Sequence, residues 1–80
     1  MLKIKLFARA CQLVGQPVIE IPWKNGATAS ELKQALLLKH PVLQPILSAL
    51  LVAVNNEYAT DSTAIRCTDE VACFPPVSGG

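Results

Sequence analysis

The sequence has little of what most active sites are built from. It contains one histidine, His40, and three cysteines, Cys11, Cys67 and Cys73, with no Cys-x-x-Cys pair among them. An odd set at these spacings makes no disulfide framework, and with a single histidine it completes no zinc site. The cysteines are expected to be buried free thiols in a reducing compartment. A catalytic pairing of a cysteine with His40 is the weaker reading. No Gly-x-x-x-x-Gly-Lys-Ser/Thr, no Gly-x-Gly-x-x-Gly and no cluster of paired carboxylates is present, so the chain is not expected to bind or activate ATP unaided.

Charge is also scarce. Charged residues make up 16% of the chain, and seven Lys and Arg against six Asp and Glu leave a formal charge of +1. They form no basic patch, so nothing favours nucleic acid or a membrane-surface helix. No apolar run approaches the ~18 to 20 residues that span a bilayer, and a strand-like pattern occupies the N-terminus in place of a signal peptide. A cytoplasmic location is the expectation. What remains is an 80-residue chain with 51% hydrophobic residues, which is one folded domain.

Along that domain, Leu2, Ile4, Leu6 and Ala8 alternate with Lys3, Lys5 and Phe7, the period of a half-buried strand. Phe7 thus falls on the lysine face, where an aromatic is out of place unless something covers it. A loop through Gly15-Gln16-Pro17 leads to a second strand, Val18 to Ile21, closed by Pro22, and Asn25-Gly26 marks a turn. Thr28-Ala29-Ser30-Glu31 has the form of a capping box, in which the Thr28 hydroxyl and the Glu31 carboxylate would each accept a backbone N–H of the other's residue. The helix it opens places Leu32, Ala35 and Leu36 inward, widened by Leu37 and Leu38, with Lys33 and Gln34 in water. Pro41 ends it. His40 there is expected to serve the last carbonyls and the helix dipole, in preference to catalysis.

Pro45 to Ser48 is long enough for one helical turn. Leu50 to Val54 is a near-continuous apolar run, expected to be a central strand covered on both faces. Asn55-Asn56 supplies the left-handed angles of a hairpin returning into Glu57-Tyr58-Ala59. Turns from Thr60 to Thr63 then lead to a last strand, Val71 to Phe74, which Pro75-Pro76 ends. Strand, strand, helix, strand, short strand, strand is an α+β arrangement: a mixed sheet packed on one main helix.

The segment after Phe74 is a thin peptide, Pro75-Pro76-Val77-Ser78-Gly79-Gly80. Two glycines have no Cβ and pass where side chains do not, so Gly79 suits a tail that threads a narrow channel. An α-carboxylate at Gly80 has a pKa of roughly 3.3 to 3.7, is ionised at neutral pH, and is a poor electrophile until a partner activates it. The plain alternative is an inert frayed terminus.

Three segments together, Val54-Asn55-Asn56-Glu57, Asp69-Glu70-Val71-Ala72 and Phe74-Pro75-Pro76-Val77-Ser78-Gly79-Gly80, resemble the small subunits of molybdopterin synthase. These belong to the ubiquitin-like β-grasp sulfur carriers, with the thiamine-pathway carriers as sisters. The resemblance runs from the strand at Lys3 to the tail, and its most specific part is the ending. It implies a ubiquitin-like β-grasp domain over 1–74 and a flexible tail over 75–80. It also implies that the chain is not an enzyme by itself and binds no cofactor alone. An adenylyltransferase related to ubiquitin-activating enzymes would use ATP and Mg²⁺ to adenylate Gly80, which a sulfurtransferase would convert to a thiocarboxylate. The charged tail would then enter the large synthase subunit, in a heterotetramer of two small and two large subunits. There it would donate sulfur to cyclic pyranopterin monophosphate to form the molybdopterin dithiolene.

Strand parity locates the handle for such partners. In a β-grasp sheet the first and last strands are neighbours, so if Val71 and Cys73 face the core with Ile4 and Leu6, then Phe7 and Phe74 share the outer face, and Tyr58 is placed to join them. Docking residues are therefore expected at Phe7, Tyr58 and Phe74, continuing into Pro75, Pro76, Val77 and Ser78. The alternative is that the two phenylalanines only cover each other. The chain departs from the family pattern at Cys11-Gln12 in the loop after the first strand, at Cys67-Thr68 in place of an Asp-Gly turn, and at Cys73 in place of a larger apolar residue. A carrier for thiamine or another small molecule, and a protein modifier conjugated through Gly80, remain as other functions of the same tail.

Overall fold

The computed structural model describes residues 1–75, and Pro76 to Gly80 lie outside the described residues. Strands β1 (Leu2–Leu6), β2 (Val18–Ile21), β3 (Leu51–Val54), β4 (Glu57–Tyr58) and β5 (Val71–Phe74) form one sheet in the order β2-β1-β5-β3-β4. The β1·β5 pair is parallel, with Ile4 opposite Val71 and Leu6 opposite Cys73. The other pairs are antiparallel. Helix α2 (Ala29–Lys39) follows β2, and a 3₁₀ turn (Pro41–Leu43) runs into a short α3 (Gln44–Leu47).

The alternation in β1 does what its period dictates: Leu2, Ile4 and Leu6 are buried while Lys3 and Lys5 are exposed. Ile19, Ile21, Val52, Val54, Val71 and Cys73 add the inward face of the other strands, and Leu32, Leu36, Leu43, Leu50 and Ile65 close over it. The core therefore lies on one face of the sheet.

Several expectations are corrected by this arrangement. The loop expected after β1 contains a seven-residue helix, α1 (Ala8–Val14), which buries Ala10 and rests Leu13 and Val14 against the core. Ala8 accordingly does not continue the inward row of β1, and Cys11-Gln12 is helical. Helix α1 has no side-chain cap at its start, but Gly15 closes it in the left-handed conformation (φ 83°), donating its N–H to the Cys11 carbonyl at 2.8 Å. Strand β3 is interior as expected, between β5 and β4, while β5 holds the middle position. Strand β3 alternates, with Val52 and Val54 buried and Leu51 and Ala53 half-buried on the outer face, so it is not covered by helices on both sides.

Helix α2 begins as expected, the Thr28 hydroxyl accepting the Glu31 N–H at 3.3 Å. The Thr28 segment is otherwise engaged as a bridge to Ala64, and the Glu31 carboxylate returns no bond to it among the described residues. Lys33 is not in open water: its side chain is 25% exposed, with Nζ 3.9 Å from Asp61. Leu38 does not widen the apolar face but projects into solvent. His40 serves the helix end through its backbone, donating to the Leu36 carbonyl at 2.7 Å. Its backbone there is extended away from helical angles, as the following Pro41 requires.

Two substitutions separate backbone from packing contributions. Gly15→Ala meets no neighbouring atom within 4 Å, so its cost is conformational alone, expected at about 1 to 2 kcal/mol for a side chain held at positive φ. Leu36→Ala, which removes a fully buried side chain, is expected to cost about 2 to 5 kcal/mol. Urea unfolding measures both, and an unchanged midpoint for Gly15→Ala would contradict the assignment of Gly15 as the helix cap.

Candidate functional site: a groove on the outer face of the sheet

The outer face is shaped by register. Lys5 stands opposite Ala72, Ala72 opposite Ala53, and Ala53 opposite Tyr58, which makes one row across β1, β5, β3 and β4. The next row holds Phe7, Phe74 and Leu51: the Phe7 N–H donates to the Cys73 carbonyl at 3.1 Å, extending the parallel ladder one residue, and Leu51 pairs with Phe74. Two alanines thus form a low floor between taller side chains.

The walls are aromatic. Phe7 and Phe74 meet edge to face with ring centroids 6.4 Å apart, and Tyr58 lies 5.8 Å from Phe74 in a tilted arrangement. The three expected aromatics are therefore one cluster. Phe7 and Phe74 do cover each other in part, yet Phe7 keeps 49% of its surface exposed and Tyr58 73%. With Lys5, Asn56 and Glu70 they enclose a shallow groove of about 410 Å³. Large apolar side chains clustered in water in this way are uncommon on a folded domain, and such a patch is a candidate interaction surface.

The polar end of the groove is an ion pair. Lys5 Nζ donates to Glu70 Oε1 at 2.9 Å, both side chains being more than half exposed, so the pair contributes little to stability and mainly defines the groove's edge. Glu70 is in turn held from the hairpin. Its N–H donates to Asn55 Oδ1 at 2.9 Å, Asn55 Nδ2 donates to Asp69 Oδ1 at 3.1 Å, and the Arg66 N–H donates to Asp69 Oδ2 at 2.7 Å. The turn at Cys67-Thr68 that lacks glycine is closed in this way, by the Asp69 carboxylate and by the Asp69 N–H donating to the Arg66 carbonyl at 2.9 Å. The backbone bond from Arg66, then the amide of Asn55 and the Arg66 charge, hold the Asp69 carboxyl below its ordinary value of 3.8.

Chemically reactive groups do not converge here. Among the described residues no three of His, Cys, Asp and Glu are placed to share a metal ion, and no helix is long and apolar enough to cross a membrane. Cys73 is fully buried, and burial pushes its thiol up to about 12 despite the opposing charge of Lys33. Cys11 and Cys67 are only half-buried, which corrects the expectation of three buried thiols. Cys67 closes a second junction, its N–H donating to Asn25 Oδ1 at 2.7 Å beside Trp23, whose Nε1 donates to the Ile65 carbonyl at 3.0 Å. Phe74 and Pro75 lie half-buried at the root of the tail. The expected site residues Pro76, Val77, Ser78, Gly79 and Gly80 lie outside the described residues.

A five-stranded mixed sheet grasping one main helix, with its last strand in the centre, is the ubiquitin-like β-grasp fold. The sequence profile of the ThiS family matches residues 4–80, and the chain belongs to that family. It is similar to the molybdopterin synthase sulfur carrier subunit of Arabidopsis thaliana, at 40% identity over 79 residues, covering 99% of this chain and 82% of that one. Small archaeal modifier protein 1 of Haloferax volcanii is 32% identical over 84 residues, covering 95% of this chain and 97% of the relative. The crystal structure of SAMP1 from Haloferax volcanii superposes with a TM-score of 0.83 at 31% identity, covering 99% of this chain and 98% of that one.

Two measurements follow from the site's chemistry. Because the Asp69 carboxyl is held down in the folded state, its contribution to stability is present above the unfolded value near 3.8 and is lost as pH falls through the folded one. Asp69→Asn is expected to flatten the acid limb of the stability curve, as read by urea unfolding between pH 5 and the acid midpoint at roughly one-unit steps; an unchanged limb would contradict the bonding described. A maleimide or iodoacetamide at mildly alkaline pH is expected to label Cys11 and Cys67 while sparing Cys73 until the protein is unfolded. Peptide mass mapping checks this.

Proposed function

We propose that this chain is the sulfur carrier subunit of a molybdopterin synthase, with Gly80 as the residue that is loaded and unloaded. The observation that carries this reading is the extent of the similarity: the family profile runs through to residue 80, and a relative named molybdopterin synthase sulfur carrier subunit is 40% identical over nearly the whole chain. The groove supports it from the physical side, because a domain that reacts only while held by other proteins needs an exposed apolar handle near its reactive tip.

In this reading the Gly80 carboxylate attacks the α-phosphate of ATP on a Mg²⁺-dependent adenylyltransferase related to ubiquitin-activating enzymes, and pyrophosphate leaves. The terminal sulfur of a sulfurtransferase persulfide attacks the acyl carbon and AMP leaves. A thiol then attacks the outer sulfur of the acyl disulfide so formed, which releases the thiocarboxylate and leaves a disulfide on the sulfurtransferase. The large synthase subunit grips the groove at Phe7, Tyr58 and Phe74 and receives the tail from Pro75 through Gly79, in an assembly of two small and two large subunits. There the thiocarboxylate sulfur is transferred to cyclic pyranopterin monophosphate, and hydrolysis restores the carboxylate for another cycle. Tethering the sulfur to a protein gives it a high effective concentration at one acceptor and keeps free sulfide out of the cytoplasm. The chain supplies reach and recognition, and its partners supply acid–base groups and metal-bound nucleotide.

A second reading is a protein modifier joined through Gly80 to a lysine. The similarity to small archaeal modifier protein 1 favours it, in both sequence and fold. The two readings share the adenylate and differ in what displaces AMP.

Intact mass separates them. After incubation with the adenylyltransferase, ATP and a sulfur donor, a carrier is expected to gain the mass difference between sulfur and oxygen, and the loaded protein to convert cyclic pyranopterin monophosphate when mixed with the large subunit. Lysine-linked adducts with no dithiolene product would favour the modifier, and an unchanged mass would contradict both. Removal of Gly80 is expected to abolish transfer without lowering the unfolding midpoint. Phe74→Ala is expected to weaken binding of the large subunit by about tenfold or more, as an interface aromatic does, and unchanged affinity in a titration would remove the groove from the docking surface.

A further inference from the structure

Two of the motifs in the sequence, the Asn55-Asn56 turn and the Asp69-Glu70 segment, lie beside the groove and are separated by a dozen residues of chain, yet they form one object. Asn55 grips the start of β5 at three points: its N–H donates to the Glu70 carbonyl at 2.8 Å, its Oδ1 accepts the Glu70 N–H at 2.9 Å, and its Nδ2 donates to Asp69 Oδ1 at 3.1 Å. Asp69 is itself fixed by the Arg66 N–H at 2.7 Å. We propose that this Asn55–Asp69 clasp is a positioning device for the docking groove, holding Tyr58 and Glu70 at the spacing that the partner recognises. The proposal rests on the reading that the groove docks the large synthase subunit.

The hairpin needs such a hold. Strand β4 is two residues long, both exposed, and lies at the edge of the sheet. Its turn places two non-glycine residues in the left-handed region, Asn55 at φ 52° and Asn56 at φ 70°, a conformation that asparagine tolerates but that costs free energy. Short edge elements with few buried contacts open readily. This hairpin nevertheless carries Tyr58, one wall of the groove, and Asn56, part of its rim. On the other side of the clasp, Glu70 presents the carboxylate that Lys5 meets at 2.9 Å. The clasp therefore couples the aromatic wall to the polar end. Its side-chain bonds are all exposed, and the core residues beneath, Val54 and Val71, keep their own pairing. Loss of the clasp is expected to disturb the groove far more than the fold.

The polarity of the clasp permits a rescue test. Asn55→Gly retains the left-handed turn and removes both side-chain bonds. Asp69→Asn leaves a donor facing a donor, since its amide oxygen satisfies either the Arg66 N–H or Asn55 Nδ2 but not both in the native arrangement. The double variant Asn55→Asp/Asp69→Asn restores every bond in reverse: the new carboxylate at position 55 accepts from the Glu70 N–H and from the new amide at position 69, whose oxygen accepts from the Arg66 N–H. Affinity for the large synthase subunit is measured by titration calorimetry with the full chain, at a temperature where thermal unfolding curves show each variant folded. Each single variant is expected to bind about 5- to 20-fold more weakly, the effect of one or two lost hydrogen bonds, and the double variant to return to within about threefold of the native chain.

Single variants that bind as the native chain does would overturn the proposal, as would a double variant no tighter than the singles, which would mean direct contact with the partner in place of positioning. Phe74→Ala in the same titration separates the failures. If it weakens binding while the clasp variants do not, only the clasp is lost. If it too is silent, the groove is not the docking surface and both readings fall.

Discussion

The parallel pairing of β1 with β5 is the constraint on which the rest of the structure depends. It brings the first and last strands side by side within the sheet, with Ile4 against Val71 and Leu6 against Cys73. Strands inside a sheet carry hydrogen bonds along both edges, so the strand that leads to the tail is held from both sides, by β1 and by β3. Phe7 and Phe74 leave this seam together, one at the end of each strand. A parallel pair needs a long crossover, and here the whole domain is that crossover: β2, the helices and the β3–β4 hairpin are laid out between the two strands that matter most.

The sheet has two faces with different tasks. Inward residues from every strand except β4, together with Leu32, Leu36 and Ile65, fill the core. Alanine at 53 and 72, flanked by Phe7, Phe74 and Tyr58, gives the outer face relief, where a uniform row of long polar side chains would have given a smooth solvated surface. The exposed Lys5–Glu70 pair closes one end without committing either charge to the interior.

Much of this was legible in the sequence because it depends on period and on local chemistry. The strict alternation of Leu2, Ile4 and Leu6 with two lysines leaves one register, and Phe7, out of place on the lysine face, marks the position of the aromatic cluster. Thr28, Pro41 and Asn55-Asn56 each impose a backbone geometry by themselves. Helix α1 was not legible in the same way. It begins at Ala8 with φ 52°, has no capping side chain and spans seven residues, so the signals that announce a helix were missing; only the Ala10, Leu13, Val14 spacing followed by Gly15 marks it. Strand β3 misled for a different reason. Its outer residues, Leu51 and Ala53, adjoin the aromatic groove, and an apolar run does not distinguish a helix packed above from an aromatic groove open to solvent. The bonds of Asn55 to Asp69 and Glu70 join distant segments, and no local pattern reveals them.

The burial of Cys73 has a consequence for the proposed chemistry. A protein whose tip carries an activated acyl group exposes that group to any sulfur nucleophile within reach, its own included, and Cys73 stands only a few residues before the tip in sequence. Attack would lock the tail into an internal thioester and end the cycle. Turned inward beside Leu6 and Val52, and with ionisation postponed to about pH 12, that thiol is neither accessible nor anionic under cellular conditions. In the proposed cycle the core would thus keep the thiol nearest to the tip in sequence away from the activated acyl group.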